Sequence, residues 1–459
     1  MTAGYDHRVD AVLKAYDVRG ATPDPLDARL AAAYASAFAE YVEPDAHRPV
    51  LLGRDVRTTS EPIATAVAEA LTAAGREVVD LGVCSTDLLY FGSGDYDAPG
   101  IMITASHNPG RDNGMKFTRR GARPIGRADG LADVAERAKA LLASRFPVAH
   151  TPGRLTRRDL SGAYADRLLE LAPVHGRRLK VVVDAANAVA GVTVPEVFGR
   201  VAVDLVPLYF EPDGTFPNHE PNPLAPENLV DLQAAVREHD ADLGLAFDGD
   251  ADRCFVVDET GAVVSGSAIT CLIASRVLAE HPGATILYNL ICSRAVPEAV
   301  VASGGVPVRT PVGHSLIKAE MARTGARFGG EHSGHFYFAD FFLADSGMLA
   351  ALHVLGALAA SGNPLSELLA SYNLYAVSGE INSVVTDQTE AMRRVAAAYA
   401  DLDETEVDHL DGVTVRHPGW WFNVRASNTE PVVRLNVEAL DHASMQALRD
   451  ELLAVIRAS

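Results

Sequence analysis

Three stretches of this chain open alike, each with an apolar run that breaks abruptly into small and polar residues ahead of a helix-like segment. They are VLLGRDVRTTS (50–60), VVVDAANAVAG (181–191) and ILYNLICSRAV (286–296). Strand-like and helix-like patterns alternate around them for most of the length, the pattern of an α/β chain. Their spacing, roughly 100–130 residues, suggests three related α/β units of low mutual identity. At 459 residues the chain exceeds what one hydrophobic core supports, and three or four domains are expected. After residue 368 the pattern shifts to a smaller α+β unit that ends in the amphipathic segment ASMQALRDELLAVIRA. The divisions expected are therefore 1–149, 150–254, 255–367 and 368–459. The segment EPDGTFPNHEPNPLAPEN (211–228) is rich in Pro, Asn and Gly and reads as an ordered functional loop or a flexible one.

Hydrophobic residues make up 48% and charged residues 22%, an ordinary globular balance. The net charge of −20 supplies no basic stripe for a phosphate backbone, which argues against nucleic acid as a partner. It also repels small anions at long range, so a phosphate ester would need local Arg and Lys groups. Cys84, Cys254, Cys271 and Cys292 show no CxxC spacing; neither a disulfide framework nor a zinc site is suggested, which fits a reducing cytoplasm. The N-terminal MTAGYDHRVD has no apolar signal segment. The longest apolar run, MLAALHVLGALAA (348–360), is too short to span a bilayer and reads as a buried helix. A cytoplasmic protein without a membrane partner is expected.

Within this frame, TASHNP (104–109) follows PGIMIT, a short buried strand. Asn108 precedes Pro109 and is biased away from the helical region. Ser106 is expected on an exposed turn at the strand end, with His107 beside it and Lys116 nearby. By itself, a serine in a turn is a local hydrogen-bonding group.

The second motif, DGDADR (248–253), follows the strand-like ADLGLAF and sets Asp248, Asp250 and Asp252 at alternate positions. In a straight strand such residues lie about 6.8 Å apart, whereas Mg²⁺ ligands sit only about 2 Å from the ion. The backbone must curl, and Gly249 and Ala251 are small enough to allow it. An EF-hand loop would take Glu259 as its twelfth residue, but its sixth position here is Arg253, where that loop needs Gly, and the following CFVVD is strand-like. A solvated acidic turn is the other reading of the motif alone. All-oxygen ligation favours Mg²⁺. Three carboxylates and one Mg²⁺ leave one negative charge, and a phosphoserine adds close to two more, so nearby cations are required; Arg253 and Lys116 are the candidates.

GGEHSGH (329–335) combines glycines with Glu331, Ser333 and His335; Glu331 and Ser333 could bond vicinal sugar hydroxyls, or the stretch could be a Gly-rich turn. RASNTEP (425–431) follows the strand-like GWWFNV. Arg425 offers a planar fork for two phosphate oxygens, and Ser427, Asn428 and Thr429 add donors around a compact turn, as an anion nest requires; a polar hairpin is the alternative. KAYDVRG (14–20) offers Tyr16 and Arg19, and PVGHSLIK (311–318) offers His314 and Lys318, without specificity of their own.

Together, TASHNP, DGDADR, GEHSGH and RASNTEP stand in the order and spacing of the α-D-phosphohexomutases, and the chain most resembles the bacterial phosphomannomutase/phosphoglucomutase group from KAYDVRG to the last motif. The resemblance implies three related α/β domains plus a smaller C-terminal α+β domain around a central cleft, each contributing one loop: phosphoserine, metal, sugar and phosphate in turn. It implies that Ser106 is the phosphorylated serine and a metal ligand with Asp248, Asp250 and Asp252. It implies that Glu331 and Ser333 contact sugar hydroxyls and that Arg425, Ser427, Asn428 and Thr429 clamp phosphate. Arg19, Lys116, Arg253, His314 and His335 resemble supporting catalytic groups, with Lys116 and His314 handling protons, and Tyr16 joins the substrate-binding set. Phosphoglucosamine mutases typically show Gly where this chain has Asn428 and often Gln where it has His332, which favours a hexose over an amino sugar.

The expected activity is reversible transfer of phosphate between the 1- and 6-positions of mannose or glucose phosphate, through the phosphoserine and a hexose 1,6-bisphosphate that also serves as activator, with Mg²⁺ as cofactor. The expected partners are small hexose phosphates, in a monomer or homodimer. The alternatives are a phosphoglucosamine mutase and a non-catalytic phosphosugar-binding protein of the same fold.

Overall fold

The computed structural model describes residues 3–399, 402–427 and 432–458, with the side chains of residues 3, 4, 314 and 315 outside that description. The chain divides into two compact units, Met1–Ser265 with Ser333–Leu368, and Gly266–His332 with Leu369–Ser459.

The first unit contains two α/β sheets. One runs in the order Val18–Ala21, Asp112–Arg119, Gly100–Ile103, Val50–Arg54, Val78–Val83, Leu155–Arg157, with Arg123–Pro124 beside Asp112–Arg119. The other runs Val263–Val264, Cys254–Asp258, Leu243–Phe247, Leu179–Asp184, Val203–Leu208. In the second unit, Thr285–Asn289 lies parallel to Val306–Thr310 and to Phe328–Gly330. Its other sheet is antiparallel, Ala376–Val384, Val432–Ala439, Trp420–Ala426, Val413–His417, Glu406–Asp408. That sheet shares a core with the helices Gln388–Tyr399 and His442–Arg457, the latter being the amphipathic segment read from the sequence.

Central parallel strands are covered on both faces, hence their nearly continuous apolar runs; Leu243–Phe247 is buried at every position. The three segments that open alike are the first parallel strands of the three α/β sheets. In each sheet the second strand pairs on one side of the first and the third strand on the other: Val78–Val83 and Gly100–Ile103 flank Val50–Arg54, Val203–Leu208 and Leu243–Phe247 flank Leu179–Asp184, and Val306–Thr310 and Phe328–Gly330 flank Thr285–Asn289. Such reversals of strand order open crevices at the strands' carboxyl ends. TASHNP, DGDADR and the GEHSGH loop each follow the third strand, at that position.

Two sheets reach past the divisions expected from sequence. Leu155–Arg157 joins Val78–Val83 of the first sheet, and Cys254–Asp258 with Val263–Val264 completes the second. A short edge strand after a long irregular stretch, and an antiparallel strand returning from the metal loop, carry no boundary signal of their own. MLAALHVLGALAA lies in a helix, Gly347–Ala360, buried along nearly its whole length.

A buried carboxylate ties three helices of the first unit together. Asp87, in the first turn of Thr86–Asp95, accepts hydrogen bonds from Tyr164 Oη at 2.7 Å, from Ser346 Oγ at 2.6 Å and from the Ser85 hydroxyl. Ser346 caps Gly347–Ala360, and Tyr164 belongs to Ser161–Leu171. Burial pushes Asp87 up to about 6 from 3.8, although the three hydroxyls oppose the shift. A carboxyl whose folded pKa is raised contributes stability that is complete below its unfolded pKa and is lost as pH rises through the folded one. The stability gap between wild type and Asp87→Asn should therefore shift against the wild type by on the order of 1 kcal/mol between pH 5 and 7.5. Urea unfolding at the two pH values measures it, and a gap indifferent to pH would contradict the assignment.

Candidate active site

The strand Gly100–Ile103 ends at Thr104, whose Oγ1 accepts the Ser106 N–H at 2.9 Å. Ser106 has φ +52°, a left-handed conformation that a non-glycine residue adopts only when its surroundings enforce it. The exposed turn expected for Ser106 is not what forms, since Ser106 is only 4% exposed. The DGDADR loop covers it: a Cβ on Gly249 would come within 2.3 Å of the Ser106 carbonyl oxygen. Ser106 Oγ donates to Asp248 Oδ2 at 2.7 Å and lies 3.2 Å from His107 Nδ1. The charge of Arg253, helped by burial, holds His107 well below its ordinary pKa and hence neutral.

DGDADR curls as the three carboxylates require. Ala251 has φ +57° and donates its N–H to the Asp248 carbonyl at 3.0 Å. Asp248, Asp250 and Asp252 are all buried, with carboxylate oxygens within 4.8 Å of one another. Arg253 turns back on Asp248, with Nε 2.9 Å and Nη2 2.8 Å from Oδ2. Lys116 Nζ bridges Asp250 Oδ2 at 2.6 Å and Asp252 Oδ2 at 2.5 Å. Thr86 binds the same loop, its Oγ1 donating to Asp250 Oδ2 at 2.6 Å and its N–H to the Asp250 carbonyl at 2.9 Å.

Burial alone would raise Asp250, but the Lys116 ammonium more than offsets it and holds that carboxyl well below the ordinary range. Burial and repulsion from Asp250 push Asp252 above the ordinary carboxylate range, although Lys116 opposes the shift. Burial would likewise lower Lys116, yet Asp250 and Asp252 hold it far above its usual value. Lys116 is therefore a cation in this arrangement and cannot accept a proton while both carboxylates hold it.

The donor set fits a hard divalent cation. Two cations face three carboxylates, which leaves one net negative charge. Asp250 Oδ1 and Asp252 Oδ1 are buried with no hydrogen-bond partner among the described residues, a state that costs roughly 1–3 kcal/mol for each group and that an ion would relieve. Glu259 is engaged elsewhere, accepting from the Ser366 N–H and hydroxyl, as expected if this is no EF-hand.

Other candidates of the first unit converge on the same loops. Arg19 Nη1 donates to Asn108 Oδ1 at 2.9 Å and Nη2 to Asp17 Oδ2 at 2.6 Å. His335 Nδ1 lies 2.9 Å from Asp345 Oδ2 and 3.9 Å from Asp252 Oδ1. Burial would lower His335, but Asp252 and Asp345 raise it above its ordinary value. Tyr16 and Ser333 are half-buried.

The second unit holds the remaining candidates. Glu331 is buried, and its Oε1 accepts from Asn289 Nδ2 at 3.1 Å and from the Gly313 N–H at 3.4 Å. Arg425 is buried and paired, its Nη2 donating to Glu380 Oε2 at 2.6 Å. Ser427 is buried beside Arg434, whose Nη2 lies 3.4 Å from its Oγ. His314 opens the helix His314–Thr324, with its side chain outside the described atoms. Asn428 and Thr429 lie outside the described residues.

Sequence reading missed Arg57 and its partner Asp55, Thr86 beneath the metal loop, and Glu380 against Arg425. Arg57 and Asp55 carried a signal: they sit where VLLGRDVRTTS breaks from apolar to charged residues.

Models of the phosphoglucomutase/phosphomannomutase domains match in order along the chain: alpha/beta/alpha domain I over 10–141, domain II over 162–261, domain III over 265–375 and the C-terminal domain over 380–455. A phosphomannomutase of Salmonella montevideo is 41% identical over 454 residues, covering 96% of this chain and 98% of its own. A protein of Xanthomonas campestris pv. campestris described as phosphohexose mutases is 40% identical over 442 residues, covering 95% and 97%. Among solved structures, a phosphoglucomutase/phosphomannomutase family protein from Burkholderia thailandensis superposes with a TM-score of 0.87 at 33% identity, covering 98% of each chain. With four domain models in sequence and relatives aligned over nearly their full length, the chain belongs to the phosphoglucomutase/phosphomannomutase family.

Proposed function

We propose that this protein moves phosphate between the 1- and 6-positions of mannose and glucose phosphates, using Ser106 as the covalent carrier and a hexose 1,6-bisphosphate as both intermediate and activator. The observation that carries this reading is Ser106 Oγ, 2.7 Å from Asp248, in a cluster where two buried aspartate oxygens have no hydrogen-bond partner among the described residues. A phosphoryl group on Ser106 Oγ would enter a buried cluster in which Asp248, Asp250 and Asp252 would supply a hard-cation site. Mg²⁺ held by these three aspartates and the phosphoserine would supply charge withdrawal from the phosphoryl group in flight.

The chain's own groups do the rest. Arg253 and Lys116 offset the carboxylates, and Arg19 holds the loop through Asn108. Lys116 becomes able to take a hydroxyl proton only when Asp250 and Asp252 are drawn off it; His314 is the other candidate base, and His335, oriented by Asp345, is a supporting cation. Burial of Ser106 keeps water from its phosphate ester. Glu331, Ser333 and Tyr16 bind the sugar, and Arg425 with Ser427, Asn428 and Thr429 binds the phosphate not being transferred, for which Arg425 must exchange Glu380 for substrate. We place the protein in the cytoplasm, as a monomer or homodimer; among the described residues no helix is long and apolar enough to cross a membrane, and all four cysteines are free and buried.

The test is a mutase assay on mannose 1-phosphate and glucose 1-phosphate with Mg²⁺ and a trace of hexose 1,6-bisphosphate, run beside glucosamine 6-phosphate. Turnover of the two hexose phosphates is expected, and preference for the amino sugar would overturn the substrate assignment. Mannose and glucose differ only at the 2-hydroxyl, whereas Glu331 is assigned to hydroxyls they share. Glu331→Ala should therefore lower activity on both by similar factors. A change in the mannose-to-glucose ratio above about tenfold, equivalent to about 1.4 kcal/mol, would mean that Glu331 senses the 2-hydroxyl.

A further inference from the structure

The side chain that makes the most hydrogen bonds around the Ser106 loop is not one that would touch substrate. Arg57 follows the first parallel strand, Val50–Arg54, and its side chain is fully buried. Nε donates to Asp55 Oδ2 at 3.0 Å. Nη1 donates to the carbonyls of Pro109 at 2.7 Å and Asp112 at 2.9 Å. Nη2 donates to the carbonyls of Ser106 at 2.7 Å and Asn108 at 2.7 Å. All five donors of the guanidinium are used, four of them on the backbone of one short loop.

Asp55 is fixed in turn, accepting the Arg57 N–H at 3.0 Å and the Ser60 hydroxyl at 2.5 Å. The far side of the guanidinium is closed by the loop 211–228. The Phe216 ring centroid lies 5.2 Å from Arg57 Cζ, and Gly214 packs so tightly that a Cβ there would sit 2.3 Å from the Val56 carbonyl oxygen. Farther along the same loop, Pro221 lies 3.4 Å from where a Gly249 Cβ would be, at the metal loop. The loop thus touches both Arg57 and the aspartate turn.

We infer that Arg57, held by Asp55 and capped by Phe216, is a positioning residue that keeps the Ser106 loop in its left-handed conformation and so aims Oγ at the aspartate cluster. A flat fork with five fixed donors can gather four carbonyls of one turn. A lysine brings three donors to one point and cannot span them. The inference rests on the phosphoserine reading above and deepens it. Because Arg57 acts through Ser106, its loss should reach the chemical step and leave substrate affinity in place.

The experiment compares Arg57→Lys, Phe216→Ala and Ser106→Ala with wild type, measuring kcat and KM on glucose 1-phosphate, melting temperature, and the lifetime of the phosphoserine in buffer by intact mass. Arg57→Lys should lower kcat more than about tenfold with KM changed less than about threefold, and should shorten the phosphoserine lifetime. Phe216→Ala should shift the same readouts in the same direction by a smaller factor, and it carries the test if Arg57→Lys does not fold. A folded Arg57→Lys, or in its place Phe216→Ala, with kcat and phosphoserine lifetime within twofold of wild type would overturn the inference, as would a loss confined to KM. Turnover retained by Ser106→Ala would instead overturn the phosphoserine reading itself, so the two failures are distinguishable.

Discussion

Ser106→Ala should fold normally and lose turnover by about a thousandfold or more, because in the proposed mechanism it deletes the atom that would carry the phosphoryl group between the two ends of the sugar. Its structural effect should be small. The hydroxyl makes one hydrogen bond to a charged acceptor, Asp248 Oδ2 at 2.7 Å, worth about 1.5–3 kcal/mol. The left-handed turn is imposed by Arg57 and Thr104 through backbone atoms that alanine keeps. Kinetics and intact mass decide the point together: wild type should gain the mass of one phosphoryl group on exposure to hexose 1,6-bisphosphate, and the variant should not. A variant that still exchanged phosphate between the 1- and 6-positions would remove Ser106 from the mechanism.

Lys116→Met should have the largest effect on stability, and the effect should depend on metal. Lys116 is the cation directly between Asp250 and Asp252, whereas Arg253 is hydrogen-bonded to Asp248. Removing the ammonium leaves two buried carboxylates facing each other, and breaking a buried ion pair in this way costs about 3–5 kcal/mol. In the presence of a chelator the variant should melt well below wild type. Millimolar Mg²⁺ should recover much of the difference, since an ion that binds only the folded state stabilises it by mass action. Thermal melts of both proteins with chelator and with Mg²⁺ test this. Equal melting temperatures in chelator would mean that the carboxylates are not stressed, and a deficit untouched by Mg²⁺ would mean that they do not bind it.

The sequence was most readable where chemistry and local geometry coincide. The strand before TASHNP, the buried strand before DGDADR, its curl at Ala251 and the buried helix around 348–360 all follow from apolar runs, small residues and length. Burial of Ser106 was not readable, because the atoms that cover it come from a loop 142 residues away. The same holds for Arg425, a free fork in the motif RASNTEP and an ion pair in the fold, since Glu380 lies 45 residues earlier on another strand. Arg57 stood in plain view within VLLGRDVRTTS, but an arginine in a polar break looks like surface until its five donors are traced. Residues 428–431, which complete the motif RASNTEP, lie outside the described residues.

Three of the candidate loops share one position, each after the third strand of its sheet, so their side chains project from beyond the strands' own hydrogen-bond ladders. The strands keep their ladders whatever follows their last residue, and the side chains that differ among TASHNP, DGDADR and GEHSGH come after the ladder has ended. The first two of these loops are not independent of each other, because the DGDADR turn lies over Ser106 and Asp248 accepts its hydroxyl, so a change in either must fit the other. A contact in the GEHSGH loop, by contrast, can change its side chain without altering the hydrogen bonds of the strand Phe328–Gly330 that precedes it.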